Sequence, residues 1–388
     1  MTTKSVTMHS HDQPLHVDIE LDSSDLKTSG PRLVCLVKND WINKKISFKE
    51  LTDGLSNQMI VMYPPEKDEQ GVVIRTYGKN SDLIVDRQIE IQTMVKLSQY
   101  HMANEILCTF NNGLLYTFLP GEQISMDDDN IDFLVATKLA QYHSVPSDDD
   151  NETKEKSQFV EKLRHYTNLL NGTNPQLRER LETMKPPAMG VLDTIKTTIG
   201  LQSSPLSFDS LEVFLDYSWS QLDDDLQQIE SILKEKWSNI PIVLCHNDTQ
   251  SRNFLFDKET NTTHIIDFEH SFRNLYLYDI ENYFVEFAGL ESSPDWTNKY
   301  PTKERRLKFL TEYVKHTNFL SDQTSVDELT KLCDRCHCLK PLIHLYWSLW
   351  AVLEAILNPE ALSAFDYVTY AKSRFNQYKL HKNTFFTS

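Results

Sequence analysis

The chain has 388 residues, 40% of them hydrophobic, and carries 56 acidic against 39 basic side chains, a net charge of −17. The apolar content is enough for globular packing and too high for a disordered chain, and the length suits two lobes. So negative a charge argues against non-specific nucleic-acid binding and against docking on anionic lipid.

The opening MTTKSVTMHSHDQ lacks the apolar core of a secretory signal. The longest apolar run, residues 345–357, is too short to span a bilayer and contains Glu354. Both point to a cytoplasmic chain with no membrane insertion, on which the sequons at Asn151, Asn171 and Asn261 are chance matches. Residues 1–30 are polar and read as a flexible tail; 31–38 are apolar and fit either strand or helix. Between Lys45 and Leu119 the pattern predicts strands over 46–51, 58–63 and 72–77, a helix over 86–100, then strands over 106–110 and 114–119. The turn Asp53-Gly54-Leu55-Ser56-Asn57 leaves N–H groups and small side chains that suit a phosphate, and it is equally an ordinary hairpin turn. Arg75, a lone cation on an alternating strand, must find an anion. Glu90 lies at the edge of the helix stripe Ile91, Met94, Val95 and Ser98, placed to pair with it. Asn111-Asn112-Gly113 predicts a hairpin turn with positive φ. Pro120 and Gly121 break the pattern and mark a link between lobes, with the backbone of Phe118 and Leu119 available to an adenine edge.

In the second lobe Ile131, Val135, Leu139 and Tyr142 share a helix face, preceded by Asp127, Asp128 and Asp129. Residues 146–208 turn polar and read as an irregular or partly helical insertion without chemistry; 211–237 are helical again. Then come HNDTQSRNFLFD at 246–257 and HIIDFEH at 264–270, with short strands expected over 242–245, 254–256 and 265–268. Asp248 precedes the carboxamide of Asn253 by five residues, and Asp267 adds a second carboxylate. Metal-assisted phosphoryl transfer requires these groups: a base to orient a hydroxyl, and a carboxamide with a carboxylate to hold magnesium. The bland alternative is a capped turn beside an unrelated buried aspartate. Asp279, Asn282, Tyr283 and Glu286, at i, i+3, i+4 and i+7, form a polar helix face that is either solvated or turned to the site. Trp347, Trp350 and Glu354 share another face, followed by Phe365, Tyr367 and Tyr370. Rings around a carboxylate hold a small ammonium group by cation–π attraction, and two tryptophans on an apolar helix serve equally well as core. The cysteines are Cys35, Cys108, Cys245 and the CDRCHC cluster of Cys333, Cys336 and Cys338 around His337. That cluster lacks a second ligand pair, so reduced structural thiols are expected rather than zinc.

On these motifs the chain resembles the choline/ethanolamine kinases, over 45–121 and 246–378. HNDTQSRN is similar to the catalytic signature, IIDFEHSFRNLYLYDIENYFVEF to the DFE segment and its helix, and HLYWSLWAVLEA with FDYVTYAKSRF to the aromatic region. FKELTDGLSNQ, IRTYGKNSDLIVDR, CTFNNGLLYTFLPGE and VEFAGL are similar to the ethanolamine branch. The resemblance implies an α+β, bilobal protein-kinase-like fold. A small antiparallel sheet lobe with one helix would span 31–121, and a larger, mostly helical lobe 122–388. It implies phosphorylation of ethanolamine by ATP with Mg2+, feeding phosphatidylethanolamine synthesis, with choline as the alternative acceptor and an inactive pseudokinase scaffold as the remote one. It leaves room for a homodimer. By resemblance Asp248 is the base, Asn253 and Asp267 hold the metal, Ser56, Asn57, Arg75 and Glu90 serve the nucleotide, and Glu286, Trp347, Trp350 and Tyr370 line the amino-alcohol pocket. Choline-specific members are more aromatic where this chain has Phe287-Ala288-Gly289-Leu290. Glu281 stands where the family usually has Gly and is expected to face away from the site.

Overall fold

A computed structural model describes residues 13–51, 57–64, 70–78, 80–128, 130–146, 156–170, 215–289, 291–358 and 364–388. The chain forms two compact units, one drawn from Met1–Gln123 with Phe254–Glu269, the other from Ile124–Asn253 with His270–Ser388. This differs from a single cut near residue 121, because the segment carrying Asp267 groups with the sheet strands.

In the first unit the strands β1 (His16–Val17), β2 (Ser47–Leu51), β3 (Gln58–Tyr63), β4 (Val72–Thr76), β5 (Ile106–Phe110) and β6 (Gly113–Thr117) form one sheet in the order β1-β5-β6-β4-β3-β2. All neighbours are antiparallel except β1, which runs parallel to β5. β4 is buried along its whole length, as its Val-Val-Ile run requires. The expected helix is present as Arg87–Gln99, capped by Asp86. Its buried stripe is Glu90, Thr93, Met94 and Leu97. The face is therefore centred on Glu90, which was expected at its edge.

A flexible tail to residue 30 does not hold for the described residues. Leu15, Val17, Ile19 and Leu21 alternate with polar positions, β1 joins the sheet, and a helix runs Leu26–Val37 from the Asp25 cap. Leu33 and Val34 pack with Trp41, Ile60, Met62 and Ile74 in one core. A Cβ on Gly30 would lie 2.5 Å from Met62 Cε and 2.6 Å from Ile74 Cδ1, so glycine lets this helix approach the sheet. The Asn-Gly hairpin forms, but neither Asn111, Asn112 nor Gly113 adopts positive φ. Gly113 instead opens β6, where a Cβ would collide with the Arg75 carbonyl and the Phe110 ring. A second, three-stranded sheet of this unit joins β7 (Glu122–Gln123), β9 (Phe254–Asp257) and β10 (Thr262–Ile265). β10 ends at Ile265, earlier than the strand expected over 265–268, and Asp267 follows it with φ 67°.

The second unit contains the helices Ile131–His143, Phe159–Leu170, Trp219–Lys236, Tyr276–Val285, Lys303–His316, Val326–Cys338, Lys340–Leu357 and Tyr367–Phe386. The antiparallel pair β8 (Ile242–Cys245) and β11 (Phe272–Leu275) lies among them. Ile131, Val135, Leu139 and Tyr142 are buried as their spacing predicts. In Lys340–Leu357, apolar all round, every residue but Trp350 is buried. The polar insertion is described only at 146 and 156–170, where Phe159–Leu170 is helical; the rest lies outside the described residues. Among the described residues no helix is long and apolar enough to cross a membrane.

Candidate active site

The loop after β8 is held from beneath by one carboxylate. Asp279, fully buried in the first turn of Tyr276–Val285, accepts the backbone N–H of His246 at 2.6 Å and of Asn247 at 2.7 Å. It also accepts from His143 Nε2 at 2.9 Å, and His143 Nδ1 lies 2.7 Å from the Tyr313 hydroxyl. A carboxylate only accepts, so the proton sits on Nε2 and, in the neutral ring, the Tyr313 hydroxyl donates to Nδ1. Asn247 turns the chain with φ 62° and donates to the His270 and Phe272 carbonyls at 3.1 and 3.2 Å. The polar face of Asp279, Asn282, Tyr283 and Glu286 is therefore buried rather than solvated. Asn282 donates to Thr249 Oγ1 at 3.1 Å and accepts from Trp347 Nε1 at 3.0 Å, and Tyr283 donates to Asp132 at 2.8 Å.

On this support Asp248 Oδ2 accepts from Asn253 Nδ2 at 2.7 Å and from Gln250 Nε2 at 2.9 Å. Asn253 Nδ2 also donates to the Asp248 carbonyl at 2.8 Å. With its NH2 committed, Asn253 has its oxygen left, a hard donor of the kind magnesium takes.

The aromatic residues form a chain of edge-to-face contacts. Trp347 meets Trp350 at 5.3 Å, Trp350 meets Tyr367 at 5.7 Å, Tyr367 meets Phe365 at 4.9 Å, and Phe365 meets Tyr370 at 5.3 Å. Tyr370 accepts from Arg374 Nη2 at 2.6 Å, and the same nitrogen donates to Glu286 Oε1 at 2.6 Å. Burial drives the Tyr370 phenol well above its ordinary pKa, with Arg374 opposing and the Glu286 and Asp248 carboxylates adding to the rise. Glu286 is thus linked through Arg374 to Tyr370, and Tyr370 through Phe365 and Tyr367 to Trp350 and Trp347. Arg374 was missed. The signal was a basic residue four positions after Tyr370, on the same helix face. Phe287 points elsewhere: its ring meets Tyr283 at 5.2 Å and carries the Arg305 guanidinium at 4.5 Å.

In the sheet unit Arg75 Nη2 donates to Glu90 Oε1, the pair expected from the sequence, and Arg75 Nη1 lies 3.7 Å from Asp267. Burial works to weaken the Arg75 cation, but Glu90, with Tyr116, Asp267 and Glu269, raises its pKa well above the ordinary value. Sequence reasoning missed Arg87 and Glu269. Arg87 Nη1 bridges Glu90 and Glu269 at 2.9 Å each, and its guanidinium stacks 4.5 Å from the Tyr77 ring centroid. Asn57 Nδ2 donates to Glu269 at 3.2 Å. Glu269 was visible as the last letter of DFE. Ser56 lies outside the described residues. Phe118, expected at an adenine edge, donates its N–H to the Gly71 carbonyl at 2.8 Å, and its carbonyl accepts from Gln70 at 2.9 Å. Leu119 carries no such bond among the described residues.

Glu281 faces away from Asp279, as expected from about 200° of helix rotation. Its Oε1 accepts from Tyr300 at 2.6 Å, Tyr300 meets His337 Nδ1 at 2.9 Å, and Arg306 and Lys340 lie over the Tyr300 ring. All six cysteines are free thiols. Of the CDRCHC cluster, Cys333 and Cys336 are buried on the helix Val326–Cys338.

Residues 48–379 match the profile of the choline/ethanolamine kinase family. The chain belongs to that family. Among its relatives, human ethanolamine kinase 2 is 27% identical over 93% of this chain and 82% of its own. Mouse ethanolamine kinase 1 is 29% identical over 87% and 84%. The solved structure of Plasmodium vivax ethanolamine kinase superposes with a TM-score of 0.70 at 23% identity, covering 94% of this chain and 91% of that one, which establishes the fold. For a choline/ethanolamine kinase, the small sheet unit and mostly helical remainder are the α+β protein-kinase-like architecture expected from the sequence.

Proposed function

We propose that this kinase transfers the γ-phosphoryl group of ATP to the hydroxyl of ethanolamine, giving phosphoethanolamine and ADP. The observation that carries the reading is the chain of contacts that links Glu286 through Arg374 to Tyr370, and Tyr370 through Phe365 and Tyr367 to Trp350 and Trp347, with Asp248 contributing to the field on Tyr370. Rings attract an ammonium group, and a carboxylate accepts its N–H donors. Phe287, turned to Tyr283 and Arg305, adds no ring to the cluster. That favours a primary ammonium, which binds through directed hydrogen bonds, over a quaternary one, which needs a closed cage. The names borne by the relatives agree.

Asp248 accepts the hydroxyl proton as the oxygen attacks the γ-phosphorus and the bond to the ADP oxygen breaks. Gln250 and Asn253 fix the Asp248 carboxylate for that transfer. Asn253 and Asp267 each offer a hard oxygen of the kind that would hold magnesium, whose charge would be set against that of the phosphates. Arg75, oriented by Glu90, is the cation for the nucleotide phosphates; by resemblance Ser56 and Asn57 serve the same phosphates, and the Leu119 backbone serves the adenine edge.

Phosphorus NMR of a mixture of ATP, magnesium and ethanolamine tests this directly. Phosphoethanolamine should accumulate, cease with chelator, and fall by at least about 10³-fold in rate for a folded Asp248→Ala variant. A loss of only a few-fold would remove Asp248 from its role, and no product with any amino alcohol would leave a pseudokinase scaffold.

A further inference from the structure

Arg374 is fully buried, and its guanidinium lies 4.3 Å from the Trp296 ring centroid and 4.9 Å from that of Tyr370. Its Nη2 donates to both Glu286 Oε1 and the Tyr370 hydroxyl oxygen, each at 2.6 Å. Among the described residues Nε and Nη1 have no partner, and the Glu286 side chain makes no other hydrogen bond. A cation this deep is costly unless a carboxylate compensates it, and Glu286 is the carboxylate it reaches. Planar stacking fixes the direction of the Nη2–H bonds, so the plane of the Glu286 carboxylate and the tilt of the Tyr370 ring are set together.

A cationic substrate would be expected to meet acids and rings, not a buried arginine. The arrangement resolves this. Arg374 takes one oxygen of Glu286 and leaves Oε2 as the acceptor. It also keeps Glu286 paired when no substrate is bound, so the carboxylate does not swing away. We propose that Arg374 is a positioning residue for amino-alcohol recognition, acting through Glu286 and Tyr370 to present one carboxylate oxygen and one ring face to the substrate ammonium. This rests on the amino-alcohol kinase reading above.

The test is a double-mutant cycle of Arg374→Met and Glu286→Gln, with KM for ethanolamine and for ATP measured on each protein. Arg374→Met should raise the KM for ethanolamine by about 30-fold, the scale of one charge-assisted bond, and leave the KM for ATP within about twofold. In the Glu286→Gln background the same substitution should add less than about threefold. Arg374→Lys, which keeps the charge, should recover much of the loss. An equal effect in both backgrounds, or parallel rises in both KM values, overturns the proposal, because a merely structural residue behaves that way. Where Arg374→Met fails to fold, Arg374→Lys carries the same cycle: it must raise the KM for ethanolamine selectively, and only while Glu286 is present. A wild-type chain that phosphorylates no amino alcohol overturns the functional reading together with this one; an active wild type with an unmoved KM in the variants overturns the role of Arg374 alone.

Discussion

Asp279→Ala is the substitution whose consequence follows most directly from the geometry. It leaves three buried donors without an acceptor: the N–H groups of His246 and Asn247 and the Nε2–H of His143. An orphaned buried donor costs about 1–3 kcal/mol and the terms overlap, so a loss of about 4 kcal/mol is expected. For a chain of 388 residues that lowers Tm by about 5 °C. The catalytic effect is separate. Asp248 is two residues from the first amide that Asp279 holds, and displacing a reacting group by about 1 Å costs about 100-fold. Thermal melts by circular dichroism and ADP release at saturating ATP and ethanolamine, taken well below the melt, read the two effects independently. Asp279→Asn keeps one acceptor oxygen and should fall between the variant and wild type in both. A folded Asp279→Ala protein with Tm within about 2 °C and kcat within about threefold of wild type would refute the anchoring role.

Two further outcomes are expected. Arg75→Met strands the fully buried Glu90 carboxylate beside Arg87 alone and should lower stability in urea by about 3 kcal/mol, part of which Glu90→Gln in the same background should restore. His344 is fully buried, neither ring nitrogen has a partner among the described residues, and burial, followed by the Arg374, Lys340 and His381 charges, holds its pKa well below the ordinary 6.5. The unfolded chain therefore binds a proton below about pH 6.5 that the folded one refuses, so stability contributed above that pH is lost as pH falls, by up to about 1.4 kcal/mol per unit. Melting temperature followed from pH 7.5 to 5 should fall more steeply for wild type than for His344→Gln; parallel curves would show that His344 titrates alike in both states.

What could be read from the residues depended on whether a pattern had one physical explanation. β3 and β5 fell at their expected bounds because β-branched runs bracketed by turn residues admit little else. The Arg75–Glu90 pair was legible because a cation on a buried strand needs an anion on the next element. The segment before Pro31 was not, since its apolar residues at 15, 17, 19 and 21 are few and scattered among acidic ones, and only the sheet they join makes them core. The Asn-Gly turn was right in place and wrong in mechanism: glycine is required there by the proximity of the Arg75 carbonyl, a tertiary fact. At the site, the stripe from Asp279 to Glu286 showed in the spacing, but its burial did not, because its partners His143, Trp347 and Arg374 lie 136, 65 and 88 residues away along the chain.

The central claim is that the cluster around Glu286 selects a small primary ammonium. The most direct measurement is kcat/KM for ATP-dependent ADP release on ethanolamine, its mono- and dimethyl derivatives, and choline. The account predicts a steady fall with each added methyl, since each removes an N–H donor that the Glu286 carboxylate would accept and Phe287, turned to Tyr283 and Arg305, adds no ring to compensate. A kcat/KM highest for choline would contradict it and assign the pocket to the quaternary ammonium instead.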